Sequence, residues 1–325
     1  MIAEQETSLS PLLALSGLVV ERPGNDGSLR LIDNLSLTLR SKRITGVVGE
    51  SGAGKSLTGA ALMGLLEPPL RQSAGTLRFR GHLVTPDRPL HRGRDIGIVF
   101  QDPLTALNPL FTIGHQLVET IRIHHRLGPA AARDRAVTLL TEVGISAPQA
   151  RLGQYPHELS GGMRQRVVIA LALAPDPAVL VADEPTTALD VSIQAQIIAL
   201  IRRLCDERGM AVLLITHDMG VIAEVADEVA VMYAGRVVET GGVAQVLRQP
   251  NHPYTRGLMA STLEIGSSHA TLPQIPGQAP RPGALPSGCA FHPRCPDRTE
   301  QCVSRPPPVH PVGDGQVVCW NHPRG

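Results

Sequence analysis

The sequence predicts an α/β fold organised around one strand, one glycine-rich loop and one helix, and three observations lead there. The apolar run Ile44-Thr45-Gly46-Val47-Val48 ends at Gly49-Glu50-Ser51-Gly52-Ala53-Gly54-Lys55-Ser56, and Leu57 to Leu66 continues with helical spacing. Two further apolar runs, Ala178 to Ala182 and Ala211 to Thr216, have the length of buried strands and end in Asp183-Glu184 and His217-Asp218. Between the loop and these runs, Ile113 to Leu127 and Ala130 to Val143 have helical spacing only. The expected fold is therefore a P-loop α/β core with an antiparallel β subdomain, a helical subdomain and a cysteine-containing C-terminal extension.

At 325 residues the chain can bury a full α/β core and still carry an appendage. Its formal charge is +1, from 30 basic and 29 acidic residues, so no global field draws it to nucleic acid or to an acidic membrane, and no nucleic-acid partner is expected. No apolar run approaches the length of a bilayer span, so membrane association is expected to come through a protein partner. Pro11 to Val20 is too polar in its approach for a signal peptide, because Glu4 and Glu6 precede it and no Lys or Arg does. It is expected to be a first strand after a loose tail. Aromatic residues are scarce, four Phe, three Tyr and one Trp, which leaves aliphatic side chains to fill the core. Cys205 follows Ile193, Ile197 and Ile201 at helical spacing and is expected to be a small core side chain.

Taken in order, Leu15 to Val20 and Leu29 to Leu39 have the composition of strands around a turn at Pro23 to Gly27, giving an antiparallel sheet ahead of the loop. Gly75 to Gly81 adds a strand, and Asp95 to Phe100 is a short buried one that ends at Gln101-Asp102-Pro103. The helical stretch follows. At Leu159-Ser160-Gly161-Gly162-Met163 another helix opens on a Ser and two Gly, where the Ser is an ordinary N-cap or the helix end receives an anion.

The chemistry these residues suit is phosphate chemistry. A loop poor in side chains lets successive amides point inward as an anion nest at the positive end of a helix. Lys55 would reach the β- and γ-phosphates of a nucleotide, and Ser56 would place its hydroxyl on Mg²⁺. Asp183 suits Mg²⁺, a hard cation that prefers carboxylate oxygen, and Glu184 would orient or deprotonate a water for in-line attack. Both carboxylates lie at the carboxyl edge of a strand, where open α/β sheets bind ligands.

These residues resemble the ATP-binding subunits of ABC transporters, most closely those of oligopeptide, dipeptide and nickel importers. Beside the Walker A stretch from Gly49 to Leu57, the resemblance covers the Q-loop segment Phe100 to Pro109, the signature Leu159 to Arg166, and the Walker B run to Asp183-Glu184-Pro185-Thr186-Thr187. The D-loop Ala188-Leu189-Asp190 and the switch His217 complete it. It implies ATP hydrolysis that powers import through separate membrane proteins. Glu184, Gln101 and His217 would be catalytic. Gly49, Glu50, Ser51, Gly52, Ala53, Gly54, Lys55, Ser56 and Leu57 would hold ATP together with Gln101, Ser160, Gly161, Gly162 and His217, and Ser56, Gln101 and Asp183 would hold Mg²⁺. Ser160 and Gly162 would grip the γ-phosphate of ATP bound on the opposite subunit. The implied partners are two transmembrane permease subunits, a second ATPase subunit of the same or paralogous sequence and, indirectly, an external substrate-binding protein. The implied location is the cytoplasmic face of the inner membrane. One departure stands out: such cassettes commonly stack adenine on an aromatic residue near positions 20–22, and no Phe, Tyr or Trp precedes Phe79. Base–aromatic stacking is worth about 1–3 kcal/mol in nucleic-acid sites, and Arg22 is the side chain available in its place.

The expected boundaries are a tail over 1–11, a nucleotide-binding domain over 12–260 with its helical subdomain at about 103–175, and an importer-type extension over 261–325. Asn251-His252-Pro253-Tyr254-Thr255, a Pro/Gly-rich linker from Leu272 to Gly288, and Pro293-Arg294-Cys295-Pro296 also resemble the peptide and nickel branch. The resemblance further implies a [4Fe–4S] cluster on Cys289, Cys295, Cys302 and Cys319. Four thiolates also suit zinc, but no Cys-x-x-Cys pair occurs, and disulfides are disfavoured in the reducing cytosol. Two other functions share the motifs. A soluble ABC ATPase acting on DNA or ribosomes usually carries paired cassettes or long coiled-coil insertions, neither of which occurs here. A cluster-bearing regulatory protein switched by ATP fits poorly with an intact catalytic set.

Overall fold

In the computed structural model, which describes residues 10–24, 27–187, 189–261 and 274–322, the strand, loop and helix form where the spacing places them. The strands in chain order are β1 (Leu13–Gly24), β2 (Gly27–Leu39), β3 (Ile44–Val48), β4 (Arg71–Phe79), β5 (His82–Leu83), β6 (Ile96–Val99), β7 (Val179–Asp183), β8 (Ala211–Ile215), β9 (Glu228–Tyr233), β10 (Arg236–Gly242), β11 (Val309–Val312) and β12 (Gly315–Val318). The described residues divide into two compact units, 40–43 and 84–214 in one, and 10–39, 44–83 and 215–322 in the other.

The second unit holds an antiparallel sheet in the order β2-β1-β4-β5 and the strand series β11-β12-β10-β9-β3. Alternation along β1 buries Leu13, Leu15, Leu18 and Val20. The expected strand at Gly75 begins earlier, at Arg71, because Gly75 is an irregularity inside it rather than its start. Gly75 has φ 107°, and a Cβ there would stand 2.7 Å from the Leu18 backbone, at the point where the β1–β4 register shifts. β3 is buried along its whole length and pairs in parallel with β9, as expected of a strand covered on both faces. β10 pairs antiparallel with β9 on one side and β12 on the other, through Glu239↔Val317 and Thr240↔Gln316. The C-terminal hairpin of β11 and β12 thus extends this sheet rather than standing apart from it.

The first unit contains β6, β7 and most of β8, adjacent in the order β8-β7-β6, with β6 and β7 parallel. The predicted helical stretch forms the helices Ile113–His125 and Pro129–Glu142. Thr112 caps the first by accepting from the His115 amide at 3.2 Å. The helix Gly161–Leu173 buries Val167, Val168, Ile169, Ala170 and Leu173, and the helix Val191–Arg208 buries Ile197, Ile201, Leu204 and Cys205. Cys205 is fully buried, as its spacing predicts. The core is aliphatic almost throughout; its fully buried aromatic side chains include Tyr233 and Tyr254, which lie close to the glycine-rich loop's strand in the second unit.

Candidate functional site

In the second unit, β3 delivers the loop and the helix Lys55–Met63 leaves it. Gly54 begins that helix at φ 101°, a conformation open to glycine, and no side chain caps the helix N-terminus. A helix that opens on a glycine-rich loop turns the positive end of its dipole toward that loop, which is the setting a phosphate site uses. Lys55 is only 6% exposed. Its ammonium folds back to donate to the Gly49 carbonyl at 2.8 Å and the Glu50 carbonyl at 3.2 Å. The remaining loop residues follow from the burial: Gly49 and Ala53 are buried, and Ser51, Gly52 and Ser56 are exposed. His217, in the same unit, is exposed at the end of the apolar run that closes with Thr216. Its position is fixed by the next residue, since Asp218 caps the helix Met219–Val225 by accepting from the Gly220 amide at 2.7 Å.

In the first unit, β7 ends at Asp183, and Glu184 follows with φ 45°. A left-handed conformation is uncommon for a residue with a side chain, and such positions cluster where the backbone aims a functional group. The Glu184 carboxylate is held from two sides. Gln101 Nε2 donates to Oε2 at 3.2 Å and Thr187 Oγ1 donates to the same atom at 2.9 Å. Gln101 and Glu184, separated by 83 positions, are thus brought together as a pair. Ser160 caps the helix Gly161–Leu173 by accepting from the Met163 amide at 3.4 Å, so the N-cap reading of this residue is correct whatever else it does. Ser160 and Gly161 are exposed and Gly162 half-buried. Asp190 caps the helix Val191–Arg208; the Ser192 hydroxyl and then the Ile193 amide bond to it and hold its carboxyl below the usual range. Ala188, between these segments, lies outside the described residues, as do 272 and 273 of the Pro/Gly-rich linker.

The model of the ABC transporter family matches residues 32–187, and that of the oligopeptide/dipeptide transporter C-terminal region matches residues 238–302. The dipeptide transport ATP-binding protein DppD of Escherichia coli is 42% identical over 316 residues, covering 96% of this chain and 97% of its own. This chain belongs to the ABC transporter ATP-binding proteins of the oligopeptide/dipeptide family. Solved ABC cassettes share the fold. CbiO1 of Clostridium perfringens, part of the ABC transporter complex CbiONQ, superposes with a TM-score of 0.64 at 26% identity, covering 74% of this chain and 91% of its own. The ATP-binding cassette MJ0796, dimeric in a post-hydrolysis state bound to ADP and phosphate, gives 0.61 at 25% identity over 71% of this chain and 98% of its own.

In this ABC subunit the C-terminal family region supplies site-facing residues that motif spacing did not single out. Tyr254, fully buried, accepts the Glu50 amide hydrogen on its hydroxyl at 2.9 Å. Burial pushes its phenol well above the ordinary range. Arg294, 7% exposed, forms a two-pronged pair with the Glu50 carboxylate at 2.7 and 2.9 Å. That pair raises the guanidinium further above its already high value. Tyr233, Tyr254 and Phe291 pack their rings 4.6 to 5.4 Å apart, and the Arg294 guanidinium lies 5.8 Å from the Tyr233 ring centre and 5.9 Å from that of Phe291. His252 is buried beside Phe291. Burial, helped by Arg256, lowers its pKa to about 3, so its Nδ1 remains a free acceptor for the Tyr254 amide at 3.0 Å. The Glu239 carboxylate accepts the amides of Asn251 and His252 at 2.7 and 3.0 Å. The Asn-His-Pro-Tyr segment therefore works as a scaffold for the phosphate-type loop.

The four C-terminal cysteines do gather in the second unit, but not as a finished metal cage. The Cys289 amide donates to the Cys302 carbonyl at 2.8 Å, and all four thiols are free of disulfides. Burial raises Cys289 and Cys319, and raises Cys295 to about 11, with neighbouring thiols adding to each shift. Among the described residues no three His, Cys, Asp or Glu side chains are disposed to hold a metal ion. Cys302 Sγ instead lies 3.5 Å from the Thr299 amide, and Cys319 Sγ accepts from the Asn321 amide at 3.4 Å. Hydrogen bonds from amides to sulfur favour the thiolate form of these two cysteines.

Proposed function

We propose that this chain hydrolyses ATP to drive import of peptides, or of small solutes related to them, through separate transmembrane subunits. The observation that carries the reading is the likeness to a dipeptide transport ATP-binding protein along 96% of the chain. In this reading residues 12–260 form the nucleotide-binding domain, with the helical subdomain at about 103–175, and 261–325 the extension. Lys55 and the loop amides bind the phosphates; Glu184 orients and deprotonates the attacking water; Gln101 holds Glu184 and signals to the membrane subunit; His217 contacts the γ-phosphate. Ser56, Gln101 and Asp183 hold Mg²⁺, which supplies positive charge against the phosphates when bound. Ser160, Gly161 and Gly162 serve ATP on a second cassette, identical or paralogous.

A pair of permease subunits is the natural cover for exposed apolar residues just beyond Gln101. Leu104 is 56% exposed and Leu110 79% exposed, with Phe100 and Phe111 beside them in sequence. No helix among the described residues is long and apolar enough to cross a membrane, which accords with a peripheral subunit on the cytoplasmic face of the inner membrane. An external binding protein would choose the cargo. Reconstituting the chain with the membrane proteins encoded beside it should give ATPase stimulation and uptake for a peptide within a substrate panel. Failure to form a stable complex with any of them would sink the transport reading.

Cys289, Cys295, Cys302 and Cys319 hold a [4Fe–4S] cluster, with zinc as the competing occupant. Supporting it are the four cysteines that the extension concentrates in the last part of the chain and the Asn321 amide that donates to Cys319 Sγ. The cluster braces a segment too short and proline-rich to form its own core. Protein purified anaerobically is expected to be brown and to contain about four iron and four sulfide per chain. A single tightly bound zinc, or no metal in iron-replete preparations, would reject the cluster.

A further inference from the structure

The loop that receives the phosphates is tied to the C-terminal extension by a short chain of bonds. Lys55 donates to the Gly49 and Glu50 carbonyls; the Glu50 amide donates to Tyr254; the Glu50 carboxylate pairs with both outer nitrogens of Arg294. Arg294 is fixed in turn by donating through Nε to the Pro276 carbonyl at 2.8 Å, and it immediately precedes Cys295. Among the described residues this buried guanidinium has one carboxylate partner, Glu50, and that carboxylate belongs to the loop. A carboxylate next to an anion-binding loop would by itself repel phosphate. With Arg294 on both its oxygens, Glu50 is neutralised and held in one orientation.

We propose that Arg294 is a positioning residue for nucleotide binding: through Glu50 the extension holds the phosphate loop in its receiving shape. Arg294 touches no nucleotide in this account. It sets the fraction of time for which Lys55 and the loop amides face the phosphates, and apparent affinity scales with that fraction. The proposal does not depend on what the four thiols bind.

The test uses the full chain as Arg294→Met, Glu50→Gln and the two combined, with MgATP titration, thermal unfolding, and ATPase kinetics after assembly with the membrane subunits. If the receiving shape falls to one tenth of the population, Arg294→Met raises the MgATP Kd about tenfold. KM follows it, while kcat at saturation stays within about twofold, because uniform binding is lost and no transition-state contact is removed. The combined variant is expected to lose no more than the worse single one, since the same pair is broken in each. Arg294→Lys restores the charge without the fork and should recover part of the affinity. A merely structural Arg294 would lower the unfolding temperature and leave the Kd of the folded protein unchanged. That result, or losses that add in the combined variant, would overturn the proposal. Should Arg294→Met fail to fold, Arg294→Lys and Glu50→Gln carry the same comparison, and a wild-type Kd in both overturns it equally.

Discussion

Glu184→Gln is expected to bind MgATP with near wild-type affinity and to hydrolyse it about 10³-fold more slowly, the middle of the range for losing a general base. The geometry makes the substitution a clean one. Glu184 Oε2 accepts hydrogen bonds from Gln101 Nε2 and Thr187 Oγ1, and the carbonyl oxygen of a glutamine can accept both. What disappears is the negative charge proposed to take a proton from water, while Asp183 and the lysine-bearing loop are untouched. Single-turnover hydrolysis in the assembled complex, beside a nucleotide titration of the chain, separates the two quantities. Near-normal hydrolysis would reject the role given to Glu184.

The sequence was legible wherever chemistry sits at the end of an apolar run. β3, β7 and β8 are five-residue runs whose burial is nearly complete, so their ends, and with them Gly49, Asp183 and His217, were placed by composition alone. The helices Ile113–His125 and Pro129–Glu142 were equally visible, because their buried positions recur at helical spacing. Gly75 misled, since a strand interrupted by a glycine bulge resembles a strand that begins there.

Less legible were contacts made across long sequence separations. The Gln101–Glu184 bond joins residues whose types were suggestive and whose meeting was not deducible from either stretch. Glu50 and Arg294 are 244 positions apart, and nothing local to Pro293-Arg294-Cys295-Pro296 says that the arginine turns toward the glycine-rich loop. One signal was present in the composition. In a chain with only three Tyr and four Phe, a Tyr beside Pro253 and a Phe beside the cysteines were unusual enough to mark a packed centre, and Tyr233, Tyr254 and Phe291 form it. The adenine side of the site has no such marker: Arg22 is exposed on β1, and its register partner is the aliphatic Leu29.

Lys55→Ala is expected to fail one step earlier than Glu184→Gln, at binding itself. Hydrogen bonds to charged groups contribute about 1.5–3 kcal/mol each, and removing one ammonium that faces two phosphates corresponds to a loss of about 100-fold in affinity. The loop loses an internal brace as well, because Lys55 Nζ is a donor to the Gly49 and Glu50 carbonyls. Those carbonyls would then turn toward water or toward the incoming phosphates, and either change weakens the anion nest. Loss of affinity through the charge should shrink as salt rises, since added ions screen the attraction that the lysine supplies in the wild type. The measurement is an MgATP titration of the wild type and Lys55→Ala at low and high salt, with thermal unfolding as the control for fold. An unchanged Kd in a folded Lys55→Ala protein would remove Lys55 from the phosphate site. A weakened Kd that does not depend on salt would assign its effect to the loop brace instead of the charge.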